Sequence, residues 1–84
     1  MFHYLVMTLR TSAFDPLAIP RHYAFLDQLR DDGKIELAGP FTDRTGGAYL
    51  LRAGSLDEAT AIAHEDPLHT SGSSMVTVRE WDAK

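Results

Sequence analysis

The chain has 84 residues, of which 44% are hydrophobic, and carries a net charge of −4 from eight basic and twelve acidic side chains. This length allows one small domain with a modest core, for which association with a second subunit is a common source of stability, and the composition excludes a disordered chain. The acidic balance, without any cluster of basic residues, argues against nucleic-acid binding.

The chain contains no cysteine, so it has neither a disulfide framework nor thiolate chemistry. No apolar run reaches the roughly 20 residues that are needed to cross a bilayer, and the first residues lack the basic, apolar and small-residue order of a signal peptide. We therefore predict a cytoplasmic protein with no membrane association.

Four short stretches have the composition of β-strands: residues 2–9, 34–41, 48–52 and 75–81. The first has apolar side chains on both faces, which predicts a central strand or one whose second face is covered by another subunit. Pro40 has no amide hydrogen, so it belongs at a strand end or a sheet edge. The polar turn 42–47 predicts a hairpin between the second and third strands. Residues 70–74 are small and predict a flexible connection to the last strand.

The first helix is predicted to follow the proline-containing loop after the first strand, with Pro20 in its first turn and Gly33 just beyond its end. Leu26 and Leu29 fall on one stripe of this helix. His22 lies four residues before Leu26, on the same stripe, and is therefore predicted to point toward the sheet.

The second helix is predicted to begin at a capping box, in which the side chains of Ser55 and Glu58 each accept a hydrogen bond from the other residue's amide. It is predicted to end at Asp66, because Pro67 cannot extend it. A carboxylate at the carboxyl end of a helix faces a negative dipole and needs a cation or proton donor nearby. Asp66 also lies three residues after Ala63 and so continues the inward stripe.

The order strand, helix, strand, strand, helix, strand predicts an α+β fold, the ferredoxin-like βαββαβ plait, with a four-stranded antiparallel sheet and both helices on one face. The other face then carries apolar side chains without a helix above them, and a face-to-face homodimer is the simplest way to cover it. We expect Tyr4, Tyr49 and Trp81 to lie in that interface, with a pocket lining as the alternative.

Residues 33–40 (GKIELAGP), a histidine eleven residues before Gly33, and Asp66-Pro67 followed by Gly72 together resemble the YciI-like, or YCII-related, family. The resemblance covers nearly the whole chain and implies a single domain over residues 1–84. It further implies that this ferredoxin-like protomer forms a dimeric α/β barrel. Leu68 stands where the family commonly has an aromatic residue, which affects the wall of any pocket there.

The resemblance also implies an active-site pair, carried here onto His22 and Asp66. A neutral imidazole beside a carboxylate can act as a general base, because the carboxylate fixes the tautomer and stabilises the imidazolium that forms. The start of a helix keeps the ring neutral and favours an anionic substrate. The alternatives are a hydrogen-bonded core histidine at position 22 and a solvated polar residue at position 66.

Three further side chains near Asp66 are metal-ligand types: His64, Glu65 and His69. On a helix, however, His64 and Asp66 point in different directions, and the His-Glu-x-x-His motif is absent. No glycine-rich loop lies between a strand and a helix. We therefore predict neither a metal nor a cofactor.

These observations predict a small cofactor-independent enzyme of the isomerase, lyase or dehydrohalogenase type, in which His22 and Asp66 transfer a proton on a small anionic substrate. The alternatives are a non-catalytic ligand-binding or regulatory module that uses the same cleft, and a structural subunit whose cleft is filled by side chains. The predicted partners are a second copy of the chain and a small molecule.

Overall fold

A computed structural model describes residues 2–84. Its elements are β1 (His3–Arg10), α1 (Ala18–Asp31), β2 (Ile35–Pro40), β3 (Gly46–Leu51), α2 (Leu56–Ala63), α3 (Pro67–Thr70) and β4 (Ser74–Trp81). The strands form a four-stranded antiparallel sheet in the order β2-β3-β1-β4. This is the strand order of the ferredoxin-like plait, so the predicted fold class is confirmed, with β1 in the centre and Pro40 at the end of an edge strand.

The core lies between the helices and one face of the sheet. Alternate residues of β1 point to this side, and Tyr4 and Val6 are 3% and 0% exposed. The two longer helices cover them through the predicted stripes, with Leu26, Leu29, Ala59 and Ala63. The alanines of α2 let that helix lie close to the strands. His22 is on the same side of α1 as the leucines, so the core stripe directs its ring toward the sheet.

Two of the three aromatic residues assigned to the dimer interface lie elsewhere. Tyr4 and Tyr49 are on the helix-covered side and are 3% and 2% exposed, so they are buried within one protomer and that prediction is wrong for both. Alternation along β1 and β3 places them there, which residue type alone does not show. Trp81 pairs with His3 on the other side of the sheet and is 46% exposed.

The side of the sheet away from the helices, which we call the open face, is apolar. It carries Leu5, Met7, Leu9, Leu37, Leu50 and Met75. Leu37 and Met75 are 68% and 62% exposed. An apolar surface of this kind is a typical protein interface. No helix within residues 2–84 is long and apolar enough to cross a membrane.

The end of α1 follows the predicted pattern. Gly33 has a φ of +72°, in the left-handed region that glycine adopts without a steric penalty. The amide of Lys34 donates to the carbonyl of Leu29 at 2.9 Å, which closes the helix. Gly33 therefore turns the chain directly into β2.

The start of α2 differs in one detail from a full capping box. The amide of Glu58 donates to the Ser55 hydroxyl at 3.1 Å, as predicted. The Glu58 carboxylate, however, accepts from the amide of Gly54 at 3.1 Å rather than from that of Ser55. Because two amides at the helix start are still satisfied, the capping function is retained.

Candidate active site

The structure places the two predicted site residues in contact. His22 lies in the second turn of α1, and its Nδ1 is 2.8 Å from Oδ1 and 2.9 Å from Oδ2 of Asp66. The His22 side chain is 14% exposed and that of Asp66 is fully buried. The pair thus combines a sequestered carboxylate with an imidazole that retains some access from outside.

The local structure around Asp66 differs from the prediction. α2 ends at Ala63 rather than at Asp66, and Asp66 is the N-cap of the short helix α3. Its Oδ1 accepts from the amide of Leu68 at 2.9 Å, and Pro67 occupies the first helical position. Aspartate at an N-cap followed by proline is a favourable helix start. The Asp-Pro step therefore begins a helix here, and the carboxylate does not face a negative helix end.

The buried carboxylate of Asp66 has donors on several sides. Besides the His22 ring and the Leu68 amide, the hydroxyl of Tyr49 donates to Oδ2 at 3.4 Å. Burying a carboxylate is costly unless such donors replace water. The three donors come from α1, α3 and β3, so Asp66 connects these elements as well as contacting His22.

The contact fixes which nitrogen of His22 is free. An ionised carboxylate only accepts hydrogen bonds, so Nδ1 carries the proton and donates to Asp66. Nε2 then holds the lone pair. Within residues 2–84 the Nε2 atom has no hydrogen-bond partner, and it is accessible to solvent. An unoccupied basic nitrogen is what a general base requires.

His22 lines a cavity of about 70 Å³ between α1, α3 and the sheet. Tyr23, Leu26 and Leu68 form part of its apolar wall, so the leucine that replaces an aromatic residue does contribute to the pocket. An engineered cavity of roughly 150 Å³ accepts benzene. The enclosed space therefore suits a few atoms of a ligand, with the remainder extending through the mouth.

Small residues of β2 and β3 create this space. Gly47 pairs with Thr8 of β1 and with Pro40 of β2, in the row of the sheet that lies beneath the cavity. A Cβ added to Gly47 would lie 2.6 Å from the carbonyl oxygen of Gly39, too close for a side chain. Because no side chain rises from this position, the helices cover an unfilled volume.

The roles of two residues at this site, Gly47 and Tyr49, were not fully predicted from the sequence. Gly47 was assigned to a turn, although it belongs to β3. Tyr49 was assigned to an interface with a pocket lining as the alternative, and the alternative is confirmed, since Tyr49 lines the cavity and its hydroxyl contacts Asp66. The Gly-Gly pair after the turn was the available indication of a missing side chain at a sheet position. Nothing local to Tyr49 indicates its contact, because Asp66 is 17 residues away.

Within residues 2–84, no three histidine, cysteine, aspartate or glutamate side chains are grouped so as to hold a metal ion. His64 and His69 are exposed, and their rings stack with centroids 4.1 Å apart and planes 8° apart. Both lie outside the cavity that His22 lines.

Tyr49 is expected to make the folded protein sensitive to alkali. Burial, together with the charge and hydrogen bond of Asp66, raises the pKa of its hydroxyl above the ordinary value of about 10. Above that pH the unfolded chain releases a proton that folded Tyr49 keeps. The contribution of Tyr49 to the free energy of unfolding is therefore complete below about pH 10. As the pH rises further, this free energy falls by about 1.4 kcal/mol per pH unit.

Tyr49→Phe should therefore flatten the decline in the free energy of unfolding above pH 10, measured by urea denaturation at a series of pH values. Tyr23→Phe is the matched control, because Tyr23 is 47% exposed. Equal slopes for wild type and Tyr49→Phe would contradict this assignment.

Three comparisons with known proteins bear on the family and the fold of the chain. A family model described as the YCII-related domain matches residues 1–82. The Bacillus subtilis (strain 168) protein named uncharacterized protein YjpA is 48% identical over 84 residues, which cover 100% of this chain and 99% of YjpA. The 5-chloro-2-hydroxyhydroquinone dehydrochlorinase TftG from Burkholderia phenoliruptrix AC1100, solved in complex with 2,5-dihydroxybenzoquinone, shares the fold at a TM-score of 0.79 and 23% identity, covering 98% of this chain and 95% of TftG. The family indicated by the sequence motifs is thus confirmed, and the chain belongs to the YCII-related domain family.

Proposed function

We propose that this protein is a small cofactor-independent enzyme in which His22 is the general base and Asp66 orients and stabilises it, acting on a small anionic substrate. One observation carries the proposal. Nδ1 of His22 contacts both oxygens of the fully buried Asp66 carboxylate, while Nε2 has no hydrogen-bond partner among residues 2–84. The His22 side chain also lines the cavity.

The first step is removal of an acidic proton from a substrate carbon or hydroxyl by the lone pair of Nε2. The imidazolium that results is stabilised by the Asp66 carboxylate, which keeps its own negative charge. The electron pair left on the substrate then either expels a halide, after which His22 releases the proton to water, or moves through a double bond, so that His22 returns the proton at another atom. The first outcome is dehydrohalogenation and the second is isomerisation, and neither needs an oxidant or reductant.

The fold neighbour supports this class of chemistry. TftG is described as a dehydrochlorinase and was solved with a hydroxylated quinone. Loss of hydrogen chloride is the removal of a proton and a chloride, a reaction that a general base can start. The cavity also favours a ligand-handling protein over a purely structural subunit, whose cleft would be filled by side chains.

The proposal is tested by solvent exchange and turnover. Wild-type protein is incubated in D₂O with a panel of small lactones, halo-acids and chlorinated hydroquinones, and proton NMR follows both deuterium incorporation and product formation. Catalysed exchange or halide release from one compound class is the expected result. A non-catalytic binding module would instead bind a compound without exchange or turnover, and that outcome would overturn the proposal.

We further propose that the protein is a homodimer whose protomers pack through the open face. Leu37 is 68% exposed and projects from this face, so its replacement by lysine costs little within one protomer but places a charge in the interface. Leu37→Lys should therefore convert a dimer to the 9.3 kDa monomer in sedimentation experiments.

Leu17→Lys is the matched control for the dimer. Leu17 is 75% exposed and precedes α1, on the opposite side of the sheet from the open face, so this variant should sediment like the wild type. A wild-type protein that is monomeric at micromolar concentration would contradict the homodimer. The cytoplasmic location stays a prediction.

A further inference from the structure

The charge on the cavity surface is of one sign. Apart from the titratable ring of His22, Arg10 is the single ionisable basic residue that lines the cavity, and no aspartate or glutamate lines it. This contrasts with the net charge of −4 of the whole protein. A cavity with a fixed positive charge and apolar walls attracts an anion that also presents apolar surface.

Strand geometry places Arg10 at one end of this cavity. Residues of β1 with even numbers point toward the helices, so Arg10 follows Thr8 on the cavity side. Its backbone lies about 13 Å along the strand from Val6, at 3.3 Å per residue. Val6 pairs with Tyr49, whose hydroxyl contacts Asp66. Arg10 and the His22–Asp66 pair therefore approach the cavity from different points along the sheet.

The guanidinium group of Arg10 is supported by an aromatic ring. Its Cζ lies 4.2 Å from the centroid of the Phe14 ring, a cation–π contact. The loop that carries Phe14 is tied to the start of β4: the Thr11 hydroxyl donates to the Gly72 carbonyl at 2.8 Å, and the Asp15 amide donates to the Ser73 hydroxyl at 3.2 Å. Phe14 also lines the cavity, so the loop holds both the ring and the cation at its edge.

Arg10 has no acidic partner, which it shares with Arg21, Arg44 and Arg79 among the described residues, but of these four it alone lines the cavity. Arg30 contacts the carboxylate of Asp27, and Arg52 contacts that of Glu36, whereas no carboxylate within residues 2–84 pairs with Arg10. A stacked guanidinium without an acidic partner retains its donors for a planar oxyanion.

The Ser74 hydroxyl is a second group beside Arg10 that indicates a ligand. Ser74 pairs with Arg10 across β1 and β4, lines the cavity and is 6% exposed. Its Oγ is buried and has no hydrogen-bond partner among the described residues. A buried hydroxyl without a partner is unfavourable, and rotation about its χ1 angle offers it to an acceptor in the cavity.

We propose that Arg10, stacked on Phe14 and assisted by the Ser74 hydroxyl, is the anchor for a planar oxyanion of the substrate, of the carboxylate or ionised phenol type. This inference rests on the proposed function and adds to it the residue that recognises the anion. The substrate then has two parts, an anionic group at Arg10 and an acidic hydrogen at Nε2 of His22.

The test uses benzoate and its neutral counterpart benzamide as probes, with binding followed through amide chemical shifts of the intact protein. Wild type should bind benzoate at least 10-fold more tightly than benzamide, with shifts at residues that line the cavity. Arg10→Met should remove this preference by weakening benzoate about 10-fold while leaving benzamide unchanged. Ser74→Ala should weaken benzoate by a smaller factor, about 3-fold.

Arg21→Met is the control for net charge. Arg21 is exposed on α1 and does not line the cavity, so this variant loses the same charge and should bind both probes like wild type. Equal loss of benzoate binding in the Arg10 and Arg21 variants would show a general charge effect and overturn the anchor.

His22→Asn separates the anchor from the catalytic proposal. It should bind benzoate as wild type does, because the anion is held at Arg10. If it abolishes benzoate binding while Arg10→Met does not, the anion lies at His22 and the anchor is wrong. If Arg10→Met removes the preference but no compound undergoes exchange, the anchor stands and the catalytic proposal fails.

Discussion

Replacement of His22 by asparagine should lower kcat on the order of 10²- to 10⁴-fold and leave the fold intact. The asparagine amide nitrogen reaches approximately the position of Nδ1, so it can still donate to Asp66. It has no basic nitrogen in place of Nε2 and cannot take a proton. Alanine is less informative at this site, because a buried carboxylate that loses its partner costs about 3–5 kcal/mol of stability.

The measurement is steady-state turnover on the best compound from the panel, combined with urea denaturation of the same samples. His69→Asn is the matched control: His69 is exposed near Asp66 but does not line the cavity, so this variant should retain wild-type turnover. Turnover of His22→Asn close to wild type would show that another group is the base. Loss of folding in this variant would show that the pair is structural.

Replacement of Asp66 by asparagine should lower kcat by a similar or larger factor, on the order of 10⁴-fold, by changing the tautomer of His22. The Leu68 amide continues to need an acceptor, so the asparagine carbonyl oxygen takes the position of Oδ1, and the NH₂ group takes that of Oδ2, which is 2.9 Å from Nδ1 of His22. The NH₂ group at this position donates to Nδ1 and therefore favours the tautomer in which Nδ1 accepts. The ring proton moves to Nε2, and the base lone pair is no longer available to the substrate.

Nitrogen-15 NMR of the His22 ring checks this directly, because it distinguishes a proton on Nδ1 in the wild type from one on Nε2 in the variant. Stability should fall by about 1–3 kcal/mol, because the Leu68 amide keeps an oxygen acceptor while the Tyr49 hydroxyl, which donates to Oδ2 in the wild type, then faces the NH₂ group. Asp31→Asn, an exposed change near the end of α1, is the control for a lost carboxylate. A wild-type tautomer in Asp66→Asn, with activity nevertheless lost, would rule out this explanation.

Local sequence patterns predicted the parts of the fold that depend on neighbouring residues. Composition predicted the strands, and the polar turn 42–47 predicted the hairpin between β2 and β3. The spacing of His22, Leu26 and Leu29 gave the inward direction of the histidine. These predictions succeeded because a side chain's direction on a helix or strand follows from its position within a few residues.

The contact between His22 and Asp66 depends on the tertiary structure. The approach of Asp66 to His22 does not follow from the two predicted helices, because their directions alone do not bring the start of one to the end of the other. The short helix α3, which was not predicted, supplies the missing geometry: Asp66 caps it, and α3 packs against α1.

The cavity and the hydrogen bond between Tyr49 and Asp66 likewise depend on residues that are distant in the sequence. Gly47 leaves space between its sheet neighbours Thr8 and Pro40, and the Tyr49 hydroxyl on β3 contacts Asp66, the N-cap of α3, although the two residues are far apart in the sequence. His22 and Asp66 are 44 residues apart, and their contact depends on the packing of several elements at once. Local patterns restrict each element's own conformation, whereas the distances between side chains on different elements are set by how the whole core packs.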